Sequence, residues 1–500
     1  MILVPLSAAA WAYGEAVHRT ITAVALAPVV AAETAPPMAP EGPARIRAVL
    51  DAAARANPEI SVPWAKRWPT VDSFDAFAEK ELLLFSPDAN VYGIDRVDVV
   101  APEMLDVLAE AARQPDDDHR NRERLAHGPD RAPIPGVPAD PAILNMGRLG
   151  ALSSQAHAHY GLKQIEFSED SEVLKSDPPR FAVASGYPNG TVITLAAEMA
   201  QEHIDLAMLA ALDGQPTLSA LYTGQAFHYL EDVCNPIHTV QVGLYDFFFD
   251  AFKARMKMSA LSGGGYFGPL RSLASIGIDE LSSHHTLSEN LTQKRLLDEA
   301  DPISVRLRKA MGAGDAELQA DLDKISPDGE FAMAAVRAVI ERSAPEGAPM
   351  YAATRGISVP KLRQEGVTFN DEKDDPDAFV EPRGSKNEAA WASFWDLQER
   401  SFRRAGAALR AVRTLEDRTI AAALTTPETT EALRKTVAER LIRRQLTMLD
   451  QADARLADYR ANPPDSATRP ERMPGMLAAE VGLVGLICGV SALLIRRRRR

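Results

Sequence analysis

Three short stretches hold the side chains best placed to do chemistry. The first, HYLEDVCNPIH over residues 228–238, contains two of the chain's ten histidines. His228 and Asp232 are four residues apart, so on a helix they share a face with Cβ atoms about 6 Å apart. Pro236 must end that helix, which puts His238 in the turn just beyond it. An imidazole and a carboxylate on one rung, with a second imidazole close by, suit a metal ion: both are ordinary zinc ligands, at about 2.0–2.2 Å. The second stretch, SHHTLSEN over 283–290, repeats the spacing with His285 and Glu289, while His284 meets only Ser288 four residues on. The third is WAYGEAVH over 11–18. Cleavage after Ala10 would make Trp11 the N-terminus. Its α-amine, with a pKa of about 8, could then lose a proton to a metal and chelate it with the carbonyl oxygen. His18 follows one short loop later. A lone His-x-x-x-carboxylate pair looks the same as a surface ion pair, and Trp11 serves equally well as an aromatic anchor for the first helix. Two such pairs with an extra histidine point to metal.

Helices must position these residues. Apolar residues recur at helical spacing over 16–30, 99–113, 191–212 and 218–231, and again along 387–462. Strand signals are scarce and no internal repeat is visible, so the sequence predicts an all-α fold. Proline clusters at 35–43 and 129–141, SGGGYFG at 262–268 and the acidic DEKDDPD run at 371–377 mark loops. The expected layout is a signal-peptide end at 1–10, a helical domain at 11–330 and a helical C-terminal extension at 331–460. A polar, proline-rich juxtamembrane linker at 461–475 and an apolar segment with a basic tail at 476–500 complete it.

The hydrophobic fraction of 46% and charged fraction of 25% exclude wholesale disorder. Net charge is −14 even with the arginines at 496–500 counted, which does not suit a general nucleic-acid binder. Two cysteines, Cys234 and Cys488, cannot staple a fold of this size. At the N-terminus, Ala8-Ala9-Ala10 has the small-x-small pattern of a signal-peptidase site, although a buried N-terminal helix fits the same residues. At the C-terminus, about 20 mostly apolar residues precede the arginines, enough to cross a bilayer as a helix with a cytoplasmic stop. The ends together describe an exported protein at the bacterial periplasm or cell surface. It is either anchored by its C-terminal transmembrane helix or secreted after processing of a sorting signal.

HYLEDVCNPIH resembles the His-Tyr-Leu-Gly-Asp-x5-His block of the zinc-dependent phospholipase C family, which shares its helical, three-zinc fold with the fungal single-strand-specific nucleases. Trp11 with His18, and His285 with Glu289, match the same family in the same order. The resemblance spans about residues 11–290 and implies a trinuclear zinc site. In it Asp232 bridges two ions, with His228 on one and Trp11 and His18 on another, while His238, His285 and Glu289 hold the third. It also implies a further histidine, for which His157 or His159 in HAHY is the candidate, and an aspartate acting as general base, for which Asp116 or Asp117 in PDDD is the candidate. Glu rather than Asp at position 289 favours the phospholipases. Two features depart from the pattern: Glu231 replaces the glycine before Asp232, adding a negative charge, and a long insert separates His238 from His285. His119 and His127 lie in a charged loop and read as solvated, and His203 reads as a core residue.

Clustered zinc ions bind phosphate oxygens, activate water and stabilise the leaving oxygen of an in-line displacement, so phosphodiester hydrolysis is the implied reaction. An anchored chain favours a phospholipid substrate, with the membrane as partner, a monomeric state and no stable nucleic-acid partner. Tyr245, Phe247, Phe248, Phe249 and Phe252 in the insert are either helix core or a lipid-facing surface. The alternatives are a nuclease of the same fold, a relative keeping zinc for stability alone, and a non-catalytic exported helical protein.

Overall fold

The computed structural model describes residues 15–30, 33–60, 103–115, 161, 196–239, 288–289, 291–347, 349–350, 353 and 385–461. No strand occurs among them, and the fold is all-α. No helix among the described residues is long and apolar enough to cross a membrane. The predicted signal segment 1–10, most of the linker 461–475 and the segment 476–500 lie outside the described residues.

The helices are α1 (Glu15–Leu26), α2 (Gly42–Ala56), α3 (Met104–Ala112), α4 (Ala196–Leu212), α5 (Pro216–Cys234), α6 (Pro302–Ala313), α7 (Ala316–Leu322), α8 (Phe331–Ser343), α9 (Ser385–Ala423) and α10 (Pro427–Ala461). At the centre is α5, in which every residue from Thr217 to Cys234 is buried. Helices α1, α3, α4, α8 and α9 all pack on it. A helix buried all round needs no polar face, yet α5 carries Thr223, Gln225, His228, Glu231 and Asp232 into the interior, each fully buried. Buried polar groups are costly without partners, and those groups assemble the site.

Local signals set the helix ends. Pro28 stops α1 early, at Leu26 rather than at residue 30 as the apolar spacing predicts, because the residue before a proline is pushed out of the helical region. Between α4 and α5, Gly214 takes φ 72°, a conformation open to glycine, and Gln215 N–H reaches back to Ala210 O at 2.9 Å. Pro216 then starts α5 at its first turn, where its missing N–H costs nothing. The helical stretch predicted over 387–462 is built of two helices. Pro427 begins α10, and Thr426 Oγ1 accepts the Thr429 N–H at 3.2 Å as a cap.

The two long helices from the C-terminal stretch brace the rest. On α9, Gln398 donates to Ser288 Oγ (2.9 Å), Arg404 reaches Cys234 O (3.5 Å) and Arg410 donates to Ala25 O (3.2 Å) and Met311 O (2.9 Å). Arg410 thus places a cation on carbonyls at the C-terminal ends of α1 and α6, the favourable end of the helix dipole for positive charge. Thr223 donates to Glu416 Oε1 at 2.6 Å, and Arg413 pairs with the other oxygen of that carboxylate. α10 docks on α4 through Asp205, which is fully buried between Arg440 and Arg444.

Candidate metal centre

His18 sits on α1, whose residues Val17, Ile21 and Ala25 face the core. His18 and Thr22, one turn apart, are also fully buried and face α5. His18 Nδ1 lies 2.6 Å from Glu231 Oε2, and Thr22 Oγ1 donates to Glu231 Oε1 at 2.6 Å. A carboxylate only accepts, so His18 carries its proton on Nδ1. In the neutral ring Nε2 then presents a lone pair, and it lies 3.5 Å from Asp232 Oδ1.

The same logic fixes His228. Its Nδ1 lies 2.7 Å from Ala112 O, one of the carbonyls left without an intrahelical donor at the end of α3. A carbonyl also only accepts, so Nδ1 bears the proton and Nε2 presents a lone pair 3.3 Å from Asp232 Oδ2. Burial pushes the His228 pKa down to about 3, against the partial support of the Ala112 carbonyl, so the ring is neutral at neutral pH. The two imidazoles are tilted against each other, ring centroids 4.0 Å apart and planes at 32°. One ligand atom each from His18, His228 and Asp232 lies within 4.8 Å of the others, and all three residues are buried. With both rings neutral, two imidazole lone pairs and a carboxylate face one another and repel, and a cation among them turns that repulsion into attraction.

The register of α3 against α5 controls this geometry. A Cβ on Gly224 would come within 2.4 Å of Leu108 O and 2.7 Å of the Ala111 Cβ. That contact lies one turn before the His228–Ala112 pair on both helices. Gly224→Ala is therefore expected to push α3 away, destabilise the fold by about 1–3 kcal/mol as overpacking does, and loosen His228. Urea denaturation alongside a metal titration tests this, and an unchanged midpoint would show that the close approach does not matter.

α5 ends at Cys234, and Asn235, before Pro236, is extended at φ −76°, ψ 117°. A 3-10 turn over Pro236–Thr239 follows, in which the His238 N–H donates to Asn235 O at 3.0 Å. His238 is buried, and its Nε2 lies 3.6 Å from Oε1 of the buried Glu289. Gly161 donates its N–H to His238 O at 3.1 Å.

The structure thus brings His18, His228 and Asp232 together in one group and pairs His238 with Glu289. Trp11, Asp116, Asp117, His157, His159 and His285 lie outside the described residues, as do His119, His127, His284 and the aromatic residues at 245–252. His203 is a core residue: it donates from Nδ1 to Met199 O at 2.8 Å, packs beside Tyr229, and burial lowers its pKa to about 4. Cys234 is buried with its thiol 3.2 Å from Leu230 O, and burial raises its pKa well above the usual range, making it inert. Sequence reasoning missed Thr22, the partner role of Glu231 and the Ala112 carbonyl. The His18-x-x-x-Thr22 spacing was the visible signal, since it sets two donors one turn apart. Compared with known proteins, the chain matches no protein-family model, no curated protein and no solved structure.

Proposed function

We propose that the protein is a zinc-dependent hydrolase of phosphodiester bonds, acting as a phospholipase C on phospholipid head groups. One observation carries this reading: the Nε2 atoms of two buried imidazoles converge on one buried carboxylate. Nitrogen and oxygen donors of this kind fit zinc, and three protein ligands leave a position open for substrate. Asp232 presents Oδ1 to His18 and Oδ2 to His228, which supports a bridging role between two ions. The buried His238–Glu289 pair supports a further ion. Bound zinc supplies Lewis-acid activation of water near neutral pH and neutralises charge on phosphate oxygens.

The protein's own groups hold this arrangement still. Glu231 and the Ala112 carbonyl keep both Nδ1 protons in place, so neither ring can flip and offer its N–H to the centre. The packed walls from α1, α3 and α5 exclude bulk water from the ligands, which strengthens the electrostatic interactions among them.

The test is metal analysis of the purified full-length protein, with parallel assays on phosphatidylcholine vesicles and on single-stranded nucleic acid. About two to three zinc ions per chain and release of the phosphorylated head group are expected. Metal well below that level overturns the catalytic reading. Cleavage of nucleic acid alone overturns the substrate, and bound zinc without either activity leaves a purely structural centre.

A further inference from the structure

We infer that Glu231, held by Thr22, is a positioning residue of the metal centre that orients His18 and sets the pocket's charge for a divalent cation. This inference rests on the metal-site reading above. Each oxygen of Glu231 has its own donor from α1: Oε2 takes the His18 Nδ1–H and Oε1 takes the Thr22 hydroxyl, both at 2.6 Å. His18, Thr22 and Glu231 are all fully buried. Two donors one helical turn apart therefore grip a single carboxylate, and neither the carboxylate nor the imidazole can rotate without breaking the other contact.

Three consequences follow for His18. Its tautomer is fixed, its ring plane is fixed, and its Nε2 is aimed at Asp232 Oδ1. A carboxylate accepting the remote N–H also makes the ligating nitrogen a stronger donor, as in carboxylate–histidine–metal arrangements generally. The neighbouring position on α5 adds a charge argument. Glu231 and Asp232 are consecutive, both fully buried, and the rings they face supply no charge while neutral. Their two negative charges offset part of the positive charge that bound zinc brings into a buried site. The glutamate that added an unexplained negative charge to HYLEDVCNPIH is thus part of that counter-charge.

Charge and orientation are separable by substitution. In Glu231→Gln the amide oxygen can accept the His18 N–H while the amide nitrogen donates to Thr22 Oγ1, so orientation survives and the charge is lost. In Glu231→Ala both are lost, and in Thr22→Val only the second grip on the carboxylate is lost. The experiment uses the full-length protein, stripped with a chelator. It reads Zn2+ affinity by competition with a chromophoric chelator, the visible spectrum after loading with Co2+, and the melting temperature of the metal-free form.

Glu231→Ala is expected to weaken Zn2+ binding by about 10- to 100-fold and to change the Co2+ spectrum. Glu231→Gln is expected to weaken binding while keeping the spectrum and leaving the metal-free melting temperature unchanged or higher, since it relieves a buried charge. Thr22→Val is expected to weaken binding by less than Glu231→Ala. Wild-type affinity in Glu231→Gln and Thr22→Val overturns the inference, even if Glu231→Ala fails to fold. So does a metal-free Glu231→Gln protein that melts well below wild type, because Glu231 would then serve packing alone. A wild-type protein that binds no metal overturns the reading of the site itself, whereas wild-type binding with insensitive variants overturns this inference alone.

Discussion

Asp232→Asn is expected to remove the bound metal and lower phosphodiester turnover by about 10³-fold or more, while leaving the metal-free protein at least as stable as metal-free wild type. The loss of turnover follows from scale. Metal polarisation is worth several kcal/mol in such reactions, and each 1.36 kcal/mol is about tenfold in rate. The unchanged or raised stability follows from the hydrogen-bond inventory. In the wild-type site with both rings neutral, two Nε2 lone pairs face the two acceptor oxygens of Asp232, at 3.5 and 3.3 Å. Asparagine replaces one of those oxygens with an NH2 group, which can donate to the imidazole it faces. Melting curves in the presence and absence of a chelator, with metal analysis, check both halves. The midpoint of wild type should fall on chelation, because ligand binding to the folded state stabilises it by mass action, and that of the variant should not move. A variant that keeps its zinc, or that collapses without it, would mean Asp232 is a structural residue.

Asp205→Ala is expected to behave in the opposite way, losing about 3–5 kcal/mol of stability, the scale for breaking a buried ion pair from one side, with metal content unchanged in the folded fraction. Asp205 is fully buried, accepts from Gln201 Nε2 at 2.9 Å, and takes Arg440 at 2.5 Å and Arg444 at 2.9 Å. Arg444 is itself 7% exposed and also pairs with Glu330. Alanine would leave Arg444 with Glu330, remove the carboxylate that Arg440 pairs with, and leave α10 tied to α4 by the Arg434–Leu212 O contact. Guanidinium unfolding monitored by circular dichroism reads the loss. A change under 1 kcal/mol would show that α10 is held by its apolar face (Val437, Ala438, Leu441 and Ile442) rather than by the clamp. The pair of variants separates two functions of buried charge, one holding a cation and the other holding a helix.

Why some of this was readable in the sequence and some was not comes down to distance along the chain. His228 and Asp232 are four residues apart, so helical geometry alone places them together, and Pro236 delivers His238 by a rule that involves only its neighbours. The His18–Glu231 contact spans 213 residues, and no local pattern announces it. Glu231 looked like a misplaced charge because a helix facing α1 on that side could not be foreseen. The His228–Ala112 contact spans 116 residues and uses a backbone carbonyl, which carries no residue-type signal at all. The break between α9 and α10 was legible at Thr426-Pro427, but an unbroken apolar periodicity on both sides concealed it. The bracing role of α9 was not legible, since Gln398, Arg404 and Arg410 look like ordinary solvent-facing residues of a long amphipathic helix.

The grip of Arg410 on the α1 carbonyl at Ala25 also dictates an order of events during synthesis. That contact spans 385 residues, so the helix carrying His18 emerges first and is secured among the last. By the time α5 has been made, His18, His228 and Asp232 all exist, but the strut that braces α1 does not. A chain stopped short of α9 carries His18, His228 and Asp232 but lacks the contact that braces α1 at Ala25.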